Sequence, residues 1–292
     1  MKPNVLFRGQ GHGFWAIVKY VSEQAGYTVR RTKGNPVSRL KVLKPDEIRH
    51  TLEKCDIDHG AISEEEYSLA SRYLHYRADI LTHEVEPALM NREQARQCFF
   101  ELKERINPKH PIPMNRQKGN KRHEAYLAAM VGMLAEEVFG PTNLVNDSQK
   151  LAIITEDGSL KGIFSRRFDG AVPDTRDPIA IWEIKEYYGT TTFGSRVADG
   201  VYETLLDGHE INAFEAAFSR KILHYLFVDD RFTWWDCGKS YLCRLIDILH
   251  TGHVDEIFFG RQVITQWPET LKELQTNPVL HDLHHGKAEA GP

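Results

Sequence analysis

The chain has 292 residues and a formal net charge of −4, so it carries no global positive field that would attract nucleic acid, and any such field must be local. Its 41% hydrophobic content supplies one large or two small cores, while four cysteines without a CxxC pair exclude a disulfide framework and disfavour a zinc site. No apolar run reaches the ~18 residues of a membrane span and no apolar leader begins the chain, so we expect a cytoplasmic protein without a membrane partner.

The N-terminal part predicts helices with one basic segment between them. Helical periodicity runs over residues 13–25, from Pro45, from Ser63 and over residues 92–106. Residues 28–44 contain six basic residues and no acid, in a segment that favours a β-hairpin. The order of helix, basic hairpin and helix predicts a winged-helix-like DNA-recognition module.

Residues 103–122 predict a domain boundary. Three prolines interrupt the helical pattern there, and residues 115–120 are turn-like. The segment also holds seven Lys or Arg and a single acid, which makes it locally positive. We therefore expect a mainly helical, partly basic domain over residues 1–115 and a second domain over residues 116–292.

The second half predicts an α/β domain. A helix is expected over residues 123–139, followed by strands over 151–155, 162–172 and 179–187. A further helix, strand, helix and strand are predicted over 196–206, 222–228, 241–249 and 256–259. This order predicts a mixed sheet flanked by helices.

Three residues on two successive predicted strands form the most informative pattern. Glu183 and Lys185 project from one face of their strand, because side chains alternate between faces. Both faces of that strand are apolar up to position 183, which is typical of a buried strand that emerges into a site. If the two strands pair antiparallel across the turn at residues 173–178, Asp169 approaches Glu183.

Two carboxylates and a lysine in this arrangement are suited to phosphodiester hydrolysis. Mg²⁺ prefers oxygen ligands and usually binds through few carboxylates, waters and phosphate. The metal polarises a phosphoryl oxygen, and Lys185 can orient the attacking water or stabilise the developing charge. The alternative is a structural Glu183–Lys185 ion pair on a surface hairpin, since Glu-x-Lys alone is common.

Residues 121–260 resemble the PD-(D/E)xK nuclease superfamily, the fold of many type II restriction endonucleases. The predicted helix, three strands, helix and strand are similar to the core of that family and cover about half of the chain. Asp169 matches the first acidic position, Glu183 the second and Lys185 the lysine, while Phe168 replaces the proline before the aspartate.

The resemblance implies a restriction-endonuclease-like sheet and a Mg²⁺-dependent endonuclease, with Mn²⁺ as a possible substitute. It implies that Asp169, Glu183 and the backbone carbonyl of Ile184 hold the metal and that Lys185 assists the attacking water. Members often carry a further acid on the helix before the first strand, and Glu124 is the candidate for it.

Two other glutamates of the same predicted helix are less attractive as ligands. Glu136 and Glu137 lie near its end, and glutamates at helix ends usually face solvent.

Double-stranded DNA is the expected partner. Lys and Arg gain affinity for phosphates through counterion release. The candidate phosphate contacts are Arg30, Arg31, Lys33, Arg39, Arg116, Lys118 and Arg167. The resemblance implies a restriction or other phage-defence setting and a homodimer that cuts both strands. Alternatives are a structure-specific nuclease or resolvase, a non-catalytic DNA-binding adaptor, and merely solvated basic loops.

Other motifs point to structure rather than chemistry. The chain has no Walker A loop, so we expect no nucleotide cofactor. Asp229 and Asp230 follow a predicted strand, where Asp is a common turn residue. Trp234 and Trp235 are expected to pack rather than to stack on a base.

Overall fold

Helices dominate the N-terminal part of the computed structural model, which describes residues 1–29, 38–54, 60–115, 119, 122–189 and 194–276. The elements there are α1 (His12–Ala25), β1 (Thr28–Val29), β2 (Arg39–Leu40), α2 (Pro45–Glu53), α3 (Glu64–Ile80), a π-helical turn (Leu81–Val85), α4 (Glu86–Ala88) and α5 (Arg92–Ile106). At the start of α3, Ser63 and Glu66 form the predicted capping box, because each accepts a hydrogen bond from the backbone N–H of the other.

The C-terminal part is built around a five-stranded mixed sheet. Its elements are α6 (Tyr126–Phe139), β3 (Val145–Asn146), β4 (Ile153–Glu156), β5 (Ser159–Ile163), β6 (Gly170–Val172), β7 (Ala180–Glu186), α7 (Ser195–Phe218), β8 (Leu223–Asp229), a π-helical turn (Phe232–Cys237), α8 (Lys239–His250), β9 (Glu256–Phe259), α9 (Gln262–Thr265) and α10 (Trp267–Gln275). The strand order is β3–β6–β7–β8–β9, antiparallel from β3 to β7 and parallel from β7 to β9. The predicted α/β class with a helix-flanked mixed sheet is confirmed.

Helices cover both faces of this sheet. On one face, Trp182 and Phe227 pack in a cluster with α6 and with Trp267 of α10. On the other face, Leu226 and Val228 pack in a cluster with α7 and α8. β7 is therefore a central strand buried on both sides, as its apolar sequence predicts.

The strand predicted over residues 162–172 is wrong. β5 ends at Ile163, the chain bends through residues 164–169, and β6 begins only at Gly170. The rings of Phe164 and Phe168 meet with centroids 5.0 Å apart, whereas residues four apart in a strand are separated by about 13 Å. Their contact inside a shared hydrophobic cluster requires the bend.

Because of this bend, the three strands predicted between residues 151 and 187 do not form one continuous sheet. β4 and β5 form a separate two-stranded hairpin, and the short β3 takes the place beside β6. β5 is largely exposed, with Leu160 at 62% and Ile163 at 51% exposure, so it lacks the buried face of a central strand.

The hydrophobic cores divide the chain earlier than the predicted boundary between residues 115 and 116. The buried hydrophobic side chains of α1, α2 and α3 up to Leu74 form one cluster, whereas Ile80 at the end of α3 packs with the sheet. α5 instead packs with α6 through Ala95, Phe99 and Leu102, in the cluster that covers the sheet. α5 therefore belongs structurally with the C-terminal part.

The basic segment near the N-terminus begins and ends in a short antiparallel ladder. Thr28 pairs with Leu40 and Val29 with Arg39, which agrees with the predicted hairpin. Residues 30–37 lie outside the described residues. None of the described helices is long and apolar enough to cross a membrane.

Candidate active site

Asp169 and Glu183 lie side by side at the end of the β6–β7 ladder. Gly170 pairs with Trp182, so the next position outward brings Asp169 opposite Glu183. The Asp169 N–H donates to the Trp182 carbonyl at 3.1 Å, and the Ile184 N–H donates to Asp169 Oδ2 at 2.7 Å. The predicted approach of these two carboxylates is what the structure shows.

The Ile184 carbonyl faces the same edge of β7 as Asp169. The carbonyl of Ile179, just before β7, accepts from the Leu223 N–H on the β8 side. The backbone of Trp182 and the N–H of Ile184 instead bond toward Asp169. Because backbone groups alternate along a strand, the Ile184 carbonyl is directed toward the Asp169 side.

Lys185 and Arg166 bridge carboxylates from two elements. Lys185 Nζ donates to Glu183 Oε2 at 3.0 Å and to Glu203 Oε2 of α7 at 2.7 Å. Arg166, from the bend, donates to the same two oxygens at 3.2 and 3.3 Å, and to Asp207 Oδ2 of α7 at 2.7 Å. Four acids and two cations thus meet on the α7 face of the sheet edge when Asp169 is included.

Burial shapes the protonation of the acids. It raises the pKa of Asp169 to about 7, and the nearby Glu183 carboxylate adds to the rise. It also raises the pKa of Asp207 to about 7, with Glu183 again the second cause. Burial and the neighbouring Glu183 carboxylate thus raise the pKa of both acids.

For the two cations, nearby carboxylates outweigh the effect of burial on the pKa. Burial alone lowers the pKa of Lys185, but Glu183 and Glu203 outweigh it and hold that pKa above its ordinary value. Burial likewise opposes the charge of Arg166, while Glu183, Asp207 and Glu203 raise its pKa. Both side chains are charged at neutral pH.

The donor set fits a hard divalent cation. Glu183 is 2% exposed, and its Oε1 is buried without a hydrogen-bond partner among the described residues. Such an oxygen is costly unless a ligand or water satisfies it. With Asp169 and the Ile184 carbonyl, it provides the few protein oxygens that Mg²⁺ usually takes. Within the described ranges, no cluster of three or more His, Cys, Asp or Glu is arranged around a metal position.

The site opens into a cleft of about 880 Å³. One wall is the segment from Pro108 to Asn115, another is the face of α6 from Ala128 to Glu136, and a third is the start of α7. The lining carboxylates are Glu136, Asp147, Asp169, Glu183, Glu186, Asp199 and Glu203. The lining Lys and Arg are Arg166, Lys185 and Arg196, so the cleft is acidic and suits a cation before it suits a bare polyanion.

Glu124 does not lie on α6. It forms an isolated antiparallel bridge with Met114, and the helix begins two residues later at Tyr126. It is not among the residues that line the cleft. The expected position early on the helix is therefore wrong, and the structure offers no support for its role as a ligand.

Glu136 is the buried acid of this helix, contrary to the expectation that it faces solvent. It is 7% exposed and lines the cleft. Its carboxylate accepts from the N–H groups of Lys109 and His110 at 2.7 and 3.0 Å, which anchors the wall segment. Glu137, in contrast, pairs with Arg105 on the surface.

Glu186 supports the other end of α6. Its Oε2 accepts from the N–H groups of Leu127 and Ala128 at 2.7 and 3.1 Å, so it satisfies orphan donors of the first helical turn. Burial raises the pKa of Glu186 to about 8. This carboxylate joins β7 to α6 and helps to position the cleft wall.

The predicted phosphate contacts divide into two groups. Arg39 and Arg167 are exposed, and Arg167 makes a 3.5 Å hydrogen bond to Gln149 without lining the cleft. The remaining candidates lie outside the described residues, namely Arg30, Arg31, Lys33, Arg116 and Lys118. Their role stays a prediction.

Sequence reasoning missed three residues of the network. Strand alternation places Arg167 on the face of Asp169, but the bend turns Arg166 there instead. Asp207 was missed because α7 continues to Phe218 rather than ending near residue 206, and Glu203 was missed because its contact with Lys185 is a tertiary one. An available signal was Asp207 itself, which lies at helical spacing from Gly200, Thr204 and Ile211, on a face where a charge is unusual.

Two structural interpretations agree with the geometry. Asp229 ends β8, where its Oδ1 accepts from the N–H groups of Met90 and Asp230. Trp234 and Trp235 are buried in the core beside α8.

Two family models match the chain. Residues 90–274 match the family described as Domain of unknown function (DUF7687), and residues 1–84 match Domain of unknown function (DUF7690). The two matches meet between residues 84 and 90, a few residues after Ile80, from which the buried hydrophobic side chains join the clusters of the sheet. No curated protein and no solved structure matches the chain.

Proposed function

We propose that this chain, which belongs to the DUF7687 family, is a Mg²⁺-dependent endonuclease that hydrolyses DNA phosphodiester bonds. The observation that carries the proposal is the position of Asp169 opposite Glu183 at the end of the β6–β7 ladder, with Lys185 one pleat further along β7. Two acids and a charged lysine at the edge of a cleft are the groups that such hydrolysis needs.

The strand arrangement supports a restriction-endonuclease-like fold for the C-terminal part. α6 precedes the antiparallel strands β3, β6 and β7, and α7 then leads to β8, which lies parallel to β7. This order is similar to the core expected of the PD-(D/E)xK superfamily. The β4–β5 hairpin is an insertion within that order.

In the proposed enzyme, Asp169, Glu183 and the Ile184 carbonyl would hold Mg²⁺, or Mn²⁺ in its place. When bound there, the ion supplies polarisation of a phosphoryl oxygen and a lower pKa for water. Lys185 is charged and tethered to Glu183 and Glu203. It would orient the attacking water or stabilise the charge that develops at phosphorus.

The acidic cleft explains why a cation is part of the proposal. DNA phosphates are repelled by its surplus of carboxylates unless a metal offsets part of that charge. The basic segments near residues 28–44 and 103–122 would supply further phosphate contacts. A homodimer would present one site to each strand, and a restriction or other phage-defence role is the setting that the fold resemblance favours.

A non-catalytic DNA-binding adaptor is the second candidate. The observation that favours it is the ion network itself, because Lys185 and Arg166 already neutralise part of the Glu183 charge. A site closed by such pairs can be structural. The adaptor binds DNA without cutting it, whereas a structure-specific nuclease cuts without a fixed sequence.

The test is incubation of purified protein with plasmid and phage DNA in Mg²⁺, Mn²⁺ or EDTA. Asp169→Asn and Lys185→Met keep the shapes of the side chains, and each is expected to lower the cutting rate by about 10²-fold or more. Lys161→Ala, on the exposed β5, is the matched control and is expected to cut like the wild type.

The products separate the candidates. Discrete fragments that need Mg²⁺ and both residues support a sequence-specific endonuclease, and nicks or smears support a structure-directed one. Binding without cutting in every metal supports the adaptor and rejects the proposal. Cutting that survives both substitutions also rejects it.

A further inference from the structure

Arg166 is a second cation in the network, beside Lys185. Lys185 already donates to Glu183 and Glu203, so Arg166 adds a second cation on the same two oxygens. Its side chain is 24% exposed and lines the cleft, in contrast to Lys185 at 8%. Arg166 is thus the more accessible cation of the pair.

Asp207 holds this guanidinium in place. The Asp207 side chain is fully buried, and its Oδ2 receives Arg166 Nη1 at 2.7 Å. A buried carboxylate is costly without a partner, so the pair is maintained. Asp207 of α7 therefore holds the Arg166 guanidinium, while the Arg166 side chain also lines the cleft.

The guanidinium keeps one donor for another acceptor. Arginine carries five N–H donors in a planar fork. Nη1 lies 2.7 Å from Asp207 Oδ2 and 3.2 Å from Glu183 Oε2, and Nη2 donates to Glu183 and Glu203. Among the described residues the N–H of Nε has no such partner, so it remains for a ligand in the cleft.

We propose that Arg166 contacts the same phosphate as Lys185 and that Asp207 is its positioning residue. This inference rests on the proposed function and names the part of the site that recognises the phosphodiester. Two cations joined through shared carboxylate oxygens lie close enough together to meet the oxygens of one phosphate. Arginine is suited to this role, because its guanidinium stays charged and its Nε N–H can donate to a phosphate oxygen while the two Nη atoms hold the carboxylates.

The experiment compares Arg166→Ala and Arg166→Lys with the wild type. Cutting of plasmid in Mg²⁺ is expected to fall by about 10²-fold in the Ala variant and less in the Lys variant. Binding of a fluorescein-labelled duplex is measured by anisotropy over a salt series, in a Lys185→Met background that prevents cutting. The slope of log affinity against log salt is expected to drop by about 1 in the Ala variant, since one phosphate contact is lost.

Two further variants keep the result interpretable. Arg96→Ala removes an arginine on the exposed face of α5, which pairs with Glu93, and it is expected to keep the wild-type rate and slope. The double variant Arg166→Met with Asp207→Asn removes the guanidinium together with the charge of its buried partner. It is expected to fold, as circular dichroism checks, and to lose activity like Arg166→Ala.

The outcomes are distinct. If the wild type cuts DNA and the Arg166 variants keep its cutting rate and its salt slope, this inference is overturned and the proposed function stands. A folded double variant that cuts like the wild type does the same. A wild-type protein that neither binds nor cuts DNA rejects both, whereas loss of rate and slope confined to the Arg166 variants supports the phosphate contact.

Discussion

At the scale of single residues, two adjacent arginines have different environments. Arg166 joins the carboxylates of the site, while Arg167 is exposed and bonds only to Gln149 among the described residues. The bend at residues 164–169 decides between them, because it breaks the alternation that a strand would impose. The lysine and the two acids of the site were predictable, since they lie on or beside a strand that is regular.

Asp229 is a buried acid outside the proposed metal site. It accepts from the Met90 and Asp230 N–H groups, and the Tyr188 hydroxyl donates to its other oxygen. Burial raises its pKa to about 7. The folded protein therefore binds a proton at Asp229 more tightly than the unfolded chain does, because the pKa of an aspartate in the unfolded chain is about 3.9.

The raised pKa of Asp229 makes the free energy of unfolding depend on pH. Between about pH 4 and pH 7 the folded state holds more protons at Asp229, so the free energy of unfolding falls as the pH rises. Asp229→Asn keeps the shape and removes this contribution, which amounts to at most about 1.4 kcal/mol per pH unit. Urea unfolding from pH 5 to pH 8 is expected to show the variant gaining on the wild type until about pH 7.

Asp157→Asn serves as the control for that series. Asp157 is exposed at the tip of the β4–β5 hairpin, and its positive φ of 51° suits asparagine. Its curve is expected to run parallel to that of the wild type. Parallel curves for Asp229→Asn would show that Asp229 does not take up a proton on folding.

At the scale of elements, the β6–β7 ladder brings the two acids together. Gly170 of β6 lies directly beneath the Trp182 indole, and a Cβ built on it would fall 2.0 Å from that ring. Trp182 is fully buried between α6 and α10, so it has no space to move away. A side chain at position 170 is therefore excluded by packing rather than by backbone conformation.

Gly170→Ala is expected to destabilise the protein by about 1–3 kcal/mol or more through overpacking. It should also shift Asp169 away from Glu183 and reduce any metal-dependent activity. Urea unfolding followed by Trp fluorescence measures the first effect. Gly13→Ala is the control, because nothing lies within 4 Å of its Cβ and alanine favours the helix by up to ~1 kcal/mol. Equal stabilities of the two variants would contradict the packing argument.

Elements with local signals were predicted closely. α5 and β9 have the expected bounds, and α1 ends before Gly26, whose φ is +83°. α7 runs twelve residues beyond the expected end at residue 206, because packing of Ile211 and Phe214 on the β4–β5 hairpin holds its second half despite the local stop signal of Gly208. Helix caps can be predicted from neighbouring residues in the sequence, whereas the packing of distant segments cannot.

At the scale of the whole molecule, a buried ion pair joins the N-terminal helices to the sheet. Arg77 of α3 donates to both oxygens of Asp247 in α8, at 3.0 and 2.9 Å, and Tyr73 donates to Asp247 at 2.6 Å. Arg77 also donates to Ser22 of α1. One network therefore connects three helices from both family-model segments.

Removing one partner should loosen this junction. Asp247→Ala leaves Arg77 buried without its counter-charge and is expected to cost about 3–5 kcal/mol. The paired change Arg77→Met with Asp247→Leu removes both charges and is expected to recover much of that loss. In the single variant we expect fluorescence and circular dichroism transitions to separate, since the N-terminal helices then unfold before the sheet.

The exposed pair Lys2–Glu273 provides the comparison. Lys2→Ala is expected to change stability by less than about 1 kcal/mol and to keep the two transitions coincident. Coincident transitions in Asp247→Ala as well would show that the network does not couple the two parts.

Local sequence signals were sufficient for the ends of α1 and α5, for the buried character of β7 and for the approach of Asp169 to Glu183. These depend on neighbours along the chain: caps, alternation and a short turn between two strands. Tertiary structure alone decided that the chain bends before β6, that α5 joins the sheet, and that Glu136 faces inward. It also decided that α7 supplies Glu203 and Asp207 to the site. Contacts between segments that are far apart in sequence leave no periodic pattern within either segment, so they cannot be predicted from it.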